Sequence, residues 1–247
     1  MSLAPYLHLD VPLAGRLAGD HVELPPDALH HLTRVLRLRA GAAVVASDGA
    51  GSEASGHLVE DGVVLDAAVV TAAPPAPALT VAQALPKGRK LDEVVRQITE
   101  LGVDRIVPVA AVRSVAALDG ERAVKAVERW RAIARAACEQ ARRPTRPSVA
   151  EVTGAARLCA AVPADGRLLV AHVGAARPLV DALGGAAGGG PAITVAIGPE
   201  GGWSSEEVAA FEAAGGEVVG LGPTVLRTEH AAAAAVAVVA AVTGRWS

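Results

Sequence analysis

Aromatic side chains are scarce in this sequence: three Trp, one Tyr and one Phe make up 2% of 247 residues, beside a single Met. A core must therefore be built from Ala, Val and Leu, and the 51% apolar content supplies them. Cysteine is equally rare. Cys138 and Cys159 lie far apart with neither a CxxC nor a His-rich partner motif, which points to a reducing compartment and away from a structural metal. The start, Met-Ser-Leu-Ala-Pro, has no basic stretch leading into an apolar run, so no secretory signal is expected. The longest apolar run, 231–242, is too short to span a bilayer and reads as a buried helix. These absences predict a cytoplasmic protein with no membrane attachment.

Familiar catalytic signatures are missing as well. There is no GxxxxGK[ST] phosphate loop, no GxSxG elbow, no HExxH and no zinc-type Cys/His spacing. His30 and His31 are adjacent, which on a helix points their rings apart and predicts surface or packing roles. Net charge is only −3 but unevenly spread: residues 1–75 carry 4 Lys/Arg against 9 Asp/Glu, while residues 84–146 carry 14 against 8. Such a basic region fits an anionic partner, nucleic acid first, and equally fits ordinary solvated helix faces.

What is present concentrates near the C-terminus. Two apolar runs, 192–197 and 218–221, each empty into a loop crowded with Gly and Pro, and a helix follows each time. Apolar runs alternating with helices predict a parallel sheet, whose ligand sits beyond the carboxyl ends of the strands. The loops 198–204 and 222–227 are therefore expected to form one small-molecule site. Gly201 and Gly202 allow close approach to the backbone, and Ser204 with Glu207 fits a capping box opening a helix over 206–214. Glu200, Glu206 and Glu207 make the mouth acidic, which disfavours phosphate and suits a cation. Gly220-Leu-Gly resembles the start of a dinucleotide fingerprint, but the third Gly and the later acid are missing, and Pro223 removes a backbone donor.

Residues 1–72 read mostly as short strands, with a hairpin closed at Asp61-Gly62 and one helix, 28–36, started by Pro25-Pro26-Asp27. This predicts a small β-barrel with an inserted helix. A Pro-rich connector at 72–79 marks the domain boundary. An α/β rhythm follows, with strands at 79–84, 105–109, 168–172 and 193–197 and helices at 91–101 and 123–141. Between them lie a basic loop, Pro86-Lys-Gly-Arg-Lys, and a flexible loop at 184–190. Gly102 is the expected C-cap of the first of these helices.

The resemblance then becomes specific. Ile197-Gly-Pro-Glu-Gly-Gly followed by Leu221-Gly-Pro-Thr-Val-Leu-Arg-Thr-Glu resembles the signature of the RsmE family, 16S rRNA uridine-N3 methyltransferases of the SPOUT superfamily. His31-Leu-Thr-Arg-Val-Leu-Arg with Asp48-Gly is similar to that family's N-terminal barrel. Lys87 onward to Glu100-Leu-Gly-Val-Asp-Arg-Ile-Val-Pro is similar to its first βαβ segment, and Arg113-Ser, Arg129-Trp and Cys138-Glu-Gln-Ala-Arg-Arg follow in the right order. Two positions depart from the pattern: His230, where the family usually has Thr, and Thr224, where a basic or varied residue is common.

The resemblance implies a PUA-like β-barrel RNA-binding domain over 1–73 and a SPOUT α/β methyltransferase domain over 78–247. The second would be tied in a deep trefoil knot, against the rule that chains avoid threading loops. It implies S-adenosylmethionine held by Ala171 and His172, by Ile197, Gly198, Pro199, Glu200, Gly201 and Gly202, and by Leu221, Gly222, Val225 and Leu226. It further implies a homodimer joined through the 231–242 helix, with no metal, acting on 16S rRNA of the small ribosomal subunit. Because uridine N3 carries an imide proton, the site must stabilise a uracil anion. Arg113, Arg143 and Arg227 are the candidate cations, and Glu229, Glu200 and His230 the candidate bases, with phosphate contact and helix capping as their structural alternatives. Arg34, Arg37, Arg39, Lys87, Arg89 and Arg143 are the expected rRNA contacts. A non-catalytic RNA-binding scaffold and a nucleotide-cofactor oxidoreductase are the competing readings.

Overall fold

The computed structural model describes residues 3–115, 118–184 and 190–246. Of the expected flexible loop at 184–190, residues 185–189 lie outside the described residues. The chain divides into two compact units: one holds the residues up to Pro74 together with Cys138–Arg146, the other Pro75–Ala137 together with the residues from Pro147 onward.

The first unit is built from β1 (Tyr6–His8), β2 (His21–Glu23), α1 (Pro26–His30), β3 (Ala43–Ser47), β4 (Ser52–Leu58), β5 (Gly62–Leu65) and β6 (Val70–Thr71). Among the described residues its sheet runs β1-β3-β4-β5-β2, with β6 pairing β4. Only β1–β3 is parallel. Along β4, Ser52, Ala54, Gly56 and Leu58 are buried in strict alternation, the period of a strand with one covered face. The expected single helix over 28–36 instead splits: α1 passes into a π-helical turn, His31–Val35, closed by Leu36 N–H on the His31 carbonyl.

The hairpin between β4 and β5 also differs in detail from its sequence reading. The turn is closed by Val59 N–H on the Gly62 carbonyl at 2.8 Å, so Gly62 begins β5 and is not a turn residue. Glycine is needed there for another reason: a Cβ would lie 2.2 Å from the Val22 carbonyl of β2. Gly62→Ala is expected to force β2 away and cost about 1–3 kcal/mol, readable as a lower denaturation midpoint in urea.

Cys138–Arg146, expected within the second domain, joins the first through long-range polar contacts. Arg142 donates to the Ala4 carbonyl at 2.7 Å and lies 5.2 Å over the Tyr6 ring. His8 Nε2 meets the Arg143 carbonyl at 2.7 Å, and the Pro144 carbonyl accepts from Gly51 N–H at 2.9 Å.

The second unit holds β7 (Leu79–Ala84), α2 (Lys90–Glu100), β8 (Arg105–Ala110), α3 (Gly120–Ala141), β9 (Ser148–Val149), β10 (Thr153–Gly154) and α4 (Ala155–Ala161). It continues with β11 (Arg167–Ala171), α5 (Leu179–Ala182), β12 (Ile193–Ile197), α6 (Ser205–Ala213), β13 (Glu217–Val219) and α7 (Thr228–Val242). The last turn of α3 belongs to the first unit. The sheet order is β10-β8-β7-β12-β11-β13, with β9 on β8, and every pairing is parallel. β12 is buried along its whole length, as expected of a parallel strand covered on both faces. One face packs with Leu91, Val94, Val95 and Ile98 of α2 and Ala232, Val236 and Val239 of α7. The other packs with Leu158 of α4 and Trp203 and Phe211 around α6.

Two features refine the sequence reading. Gly102 ends α2 with φ +105°, as its C-cap role requires. The last helix begins at Thr228 and is not buried all round: Ala233, Ala234, Ala237, Val238 and Val242 are half-exposed and Ala241 is exposed. No helix among the described residues is long and apolar enough to cross a membrane.

Candidate active site

Sheet order places the two loops. β11 lies between β12 and β13, so the chain leaving Ala171 is flanked by the loop after Ile197 and the loop after Val219. All three run parallel, so their carboxyl ends open on one side, where ligands of such sheets bind. A cavity of about 590 Å³ occupies that place. Its apolar wall comes from Ile197, Leu221, Val225 and Leu226, and its charged rim from Lys90, Arg113, Glu200 and Arg227.

The loops are held by polar contacts that reach far along the chain. Thr228 Oγ1 donates to the Gly198 carbonyl at 2.7 Å and accepts from Gln83 Nε2 at 2.9 Å. Gln83, at 0% exposure, thus links β7 to both loops through one hydroxyl. Gly220 is fixed from the other side, its N–H on the Arg177 carbonyl and its carbonyl on Leu179 N–H, both at 2.9 Å.

The capping box at Ser204–Glu207 does more than start a helix. Ser204 Oγ accepts from Glu207 N–H at 3.2 Å, and Glu207 Oε2 accepts from Ser204 N–H at 2.9 Å. The second oxygen of Glu207 accepts from Val112 N–H at 2.9 Å. It therefore fastens the segment carrying Arg113, whose guanidinium donates to the Gly201 carbonyl at 3.1 Å. A Cβ on Gly201 would lie 3.2 Å from that of Arg113.

The mouth is not acidic in the way the sequence suggests. Lys90 Nζ sits 3.0 Å from Glu200 and 3.4 Å from Glu229. Glu207 is buried in its capping role, and Glu206 feels the charge of Arg113. Partial burial pushes the Glu200 carboxyl up, but its own N–H, Lys90 and Lys87 N–H outweigh this and hold it below the usual range. Glu229 is lowered by its own backbone N–H, at the start of α7, against burial and with help from Lys90 and Arg227. Lys90 is raised, chiefly by its hydrogen bond to Glu200. What faces the cavity is then Lys90, Arg113 and Arg227 against Glu200, a net positive lining.

Arg113 and Arg227 line the cavity, as do all the expected cofactor residues except Gly222. Glu229 is outside the lining but reaches it through Lys90. His230 is exposed on α7 and does not line the cavity. Arg143 belongs to the first unit, and Arg113 and Arg227 to the second. Arg34, Arg37 and Arg39 are exposed on the first unit, and Lys87 and Arg89 are exposed on the second. Lys90, Gln83 and Thr228 have no role in the sequence reading; Lys90 falls in the basic loop and Thr228 in the 221–229 signature, while nothing marks Gln83. Among the described residues no cluster of His, Cys, Asp or Glu could hold a metal ion.

Comparison with known proteins adds to this geometry. Residues 74–240 match the RNA methyltransferase domain family and residues 24–62 the RNA methyltransferase PUA domain family. The chain is 38% identical to the Ribosomal RNA small subunit methyltransferase E of Mycobacterium bovis over 224 residues, 87% of this chain and 84% of that one. It is 31% identical to the protein of the same name from Bacillus subtilis over 215 residues, 83% of this chain and 84% of that one. A crystal structure of Ribosomal RNA small subunit methyltransferase E from Neisseria gonorrhoeae bound to S-adenosyl methionine superposes with a TM-score of 0.85 at 29% identity, covering 98% of each chain. A Legionella pneumophila protein in complex with the bound cofactor SAM gives 0.84 at 28% identity, covering 98% of this chain and 99% of that one.

Proposed function

Because the chain belongs to the ribosomal RNA small subunit methyltransferase E family, we propose that it transfers the methyl group of S-adenosylmethionine to N3 of a uridine in the 16S rRNA of the small ribosomal subunit. The observation that carries this reading is the two-loop cavity with an apolar wall and a cationic rim. Its residues fit the donor. The walls pair Ile197, Leu221, Val225 and Leu226 with the backbone of 198–202, and a Cβ at Gly202 would meet nothing within 4 Å. Ala171 and His172 close the third side. When bound, the donor supplies a methyl carbon already activated by its sulfonium.

The acceptor sets the harder requirement, since the imide must lose its proton before N3 is nucleophilic. Glu200 and Glu229 stay ionised but are weakened as bases by Lys90 and by backbone N–H groups. The reading therefore gives the main role to charge: Arg113 and Arg227, with Lys90 behind them, stabilise the anion at the uracil oxygens. Arg113 is the best placed, because Glu207 and the Gly201 carbonyl fix it before substrate arrives.

The pH dependence follows. The depressed carboxylates keep their pairing above the ordinary carboxylate range and lose it as pH falls through their lowered values. Raised Lys90 keeps its pairing below the ordinary lysine range and loses it as pH rises through its higher value. The triad is therefore constant across neutral pH. The rate of methyl transfer is expected to climb steadily from neutral to mildly alkaline pH as the imide ionises. A plateau set by a protein base near neutrality would contradict this assignment.

The same reading includes four further elements. A trefoil knot in the second unit is implied by the resemblance to the SPOUT superfamily. A homodimer is supported by the half-exposed Ala/Val face of α7. RNA contacts by Arg34, Arg37, Arg39, Lys87 and Arg89 are supported by their exposure, and a cytoplasmic site of action by the nature of the substrate. The direct test is incubation with unmodified small subunits and the donor, followed by nucleoside mass spectrometry. N3-methyluridine is expected; methyl on C5 or ribose, or none, would overturn the reading.

A further inference from the structure

A second cavity of about 290 Å³ opens beside the first. Lys90 lines the large cavity, while Pro86, Gly88 and Arg89 line the small one, so a single short loop borders both. Arg89 of the small cavity and Lys90 of the large one are adjacent residues, with Cα atoms about 3.8 Å apart. The small cavity has an apolar floor of Leu85, Leu91 and Trp130, each at most 2% exposed. Its rim carries four cations, Arg89, Arg122, Lys125 and Arg129.

These cations are not fully spent. A single carboxylate, Asp92, serves both Arg89 and Arg129, each at 3.1 Å, and also Trp130 Nε1 at 3.0 Å. Among the described residues Arg122 and Lys125 pair with Asp119 and Glu121 on their own stretch of chain, at 2.6 and 2.7 Å, and all four side chains are at least 70% exposed. Exposed pairs of this kind contribute little, so both cations can turn to an incoming anion. An apolar floor under a ring of guanidinium and ammonium groups matches a nucleotide, with a flat base and a phosphate, better than an acidic peptide.

We propose that this hollow seats a nucleotide flanking the target uridine, its phosphate held by Arg122, Lys125 and Arg129. The proposal rests on the reading of the large cavity as an RNA methyltransferase site. It would make the Pro86–Lys90 loop a divider, with the target on one side and its neighbour on the other.

The test uses the full chain and an Arg122→Ala/Lys125→Ala double variant. Filter binding to a labelled 16S rRNA fragment is measured across salt concentrations, alongside methylation kinetics. Loss of this phosphate contact is expected to flatten the log–log salt slope by roughly 0.7–0.9 and to raise KM for RNA about tenfold. Affinity for S-adenosylhomocysteine should not move, and Arg122→Lys/Lys125→Arg should restore the slope. An unchanged slope and KM would overturn the proposal, as would poly-glutamate displacing RNA equally well from the intact protein. If the intact protein binds RNA but transfers no methyl, the functional reading falls alone, and the slope still decides the role of the hollow.

Discussion

Arg113→Ala should lower kcat about 100- to 1000-fold, the scale seen when one preorganised stabilising donor is removed from a developing anion. Arg113 lies on a strap held by Glu207 through Val112 N–H and is aimed along the Gly201 carbonyl. Only one of its donors is engaged there, so the planar group has others for a uracil oxygen. Its removal leaves the apolar wall of the cavity intact, so S-adenosylhomocysteine should bind with nearly unchanged affinity in a calorimetric titration. Arg113→Lys keeps the charge but not the fork, and an intermediate kcat is expected. If Arg113→Ala weakens cofactor binding while kcat holds, Arg113 is a loop anchor and the stabilising cation lies elsewhere.

Thr228→Val should be the most damaging substitution to stability within the site. The two side chains are nearly the same size, so the loss is almost purely that of the hydroxyl. Thr228 is 6% exposed and Gln83 is fully buried, so water cannot readily replace what is lost. The part-buried Gly198 carbonyl loses its donor, and the buried Gln83 amide is left with the Ala84 carbonyl, each loss costing about 1–3 kcal/mol. Together this is about 2–6 kcal/mol, or a fall of roughly 4–24 °C in Tm for a chain of this size. Stabilisation by S-adenosylhomocysteine in a thermal-shift assay should shrink as well, because Gly198 belongs to the cavity wall. Thr228→Ser keeps the hydroxyl and should recover most of both. A Val variant as stable as its parent would show that the Gln83–Thr228–Gly198 chain holds nothing.

The parts of the fold that were legible in the sequence are those whose cause is local. β12 reads as a continuous apolar run because both its faces are covered, α2 reads as a stripe because one face is, and Ser204 and Glu207 meet because they are one helical turn apart. The loops were legible as a site because Gly and Pro cluster at strand ends. What stayed hidden depends on residues that meet from far apart. Lys90 neutralises Glu200 across 110 positions, and Gln83 reaches Thr228 across 145. Counting carboxylates around the loop therefore gave an acidic mouth where pairing yields a cationic one. The grouping of Cys138–Arg146 with the first unit was hidden for the same reason, since its partners are Ala4, His8 and Gly51.

The double use of Glu207 has a consequence for local opening. One oxygen closes the first turn of α6 and the other holds Val112, so fraying of that turn also frees the Arg113 strap. The two stretches form a single cooperative opening unit. In native-state hydrogen exchange the Val112 amide should then share the protection of the Ser204 and Glu207 amides, although it lies in a separate segment. Any partner that tightens this helix start would also slow the opening of the segment carrying Arg113.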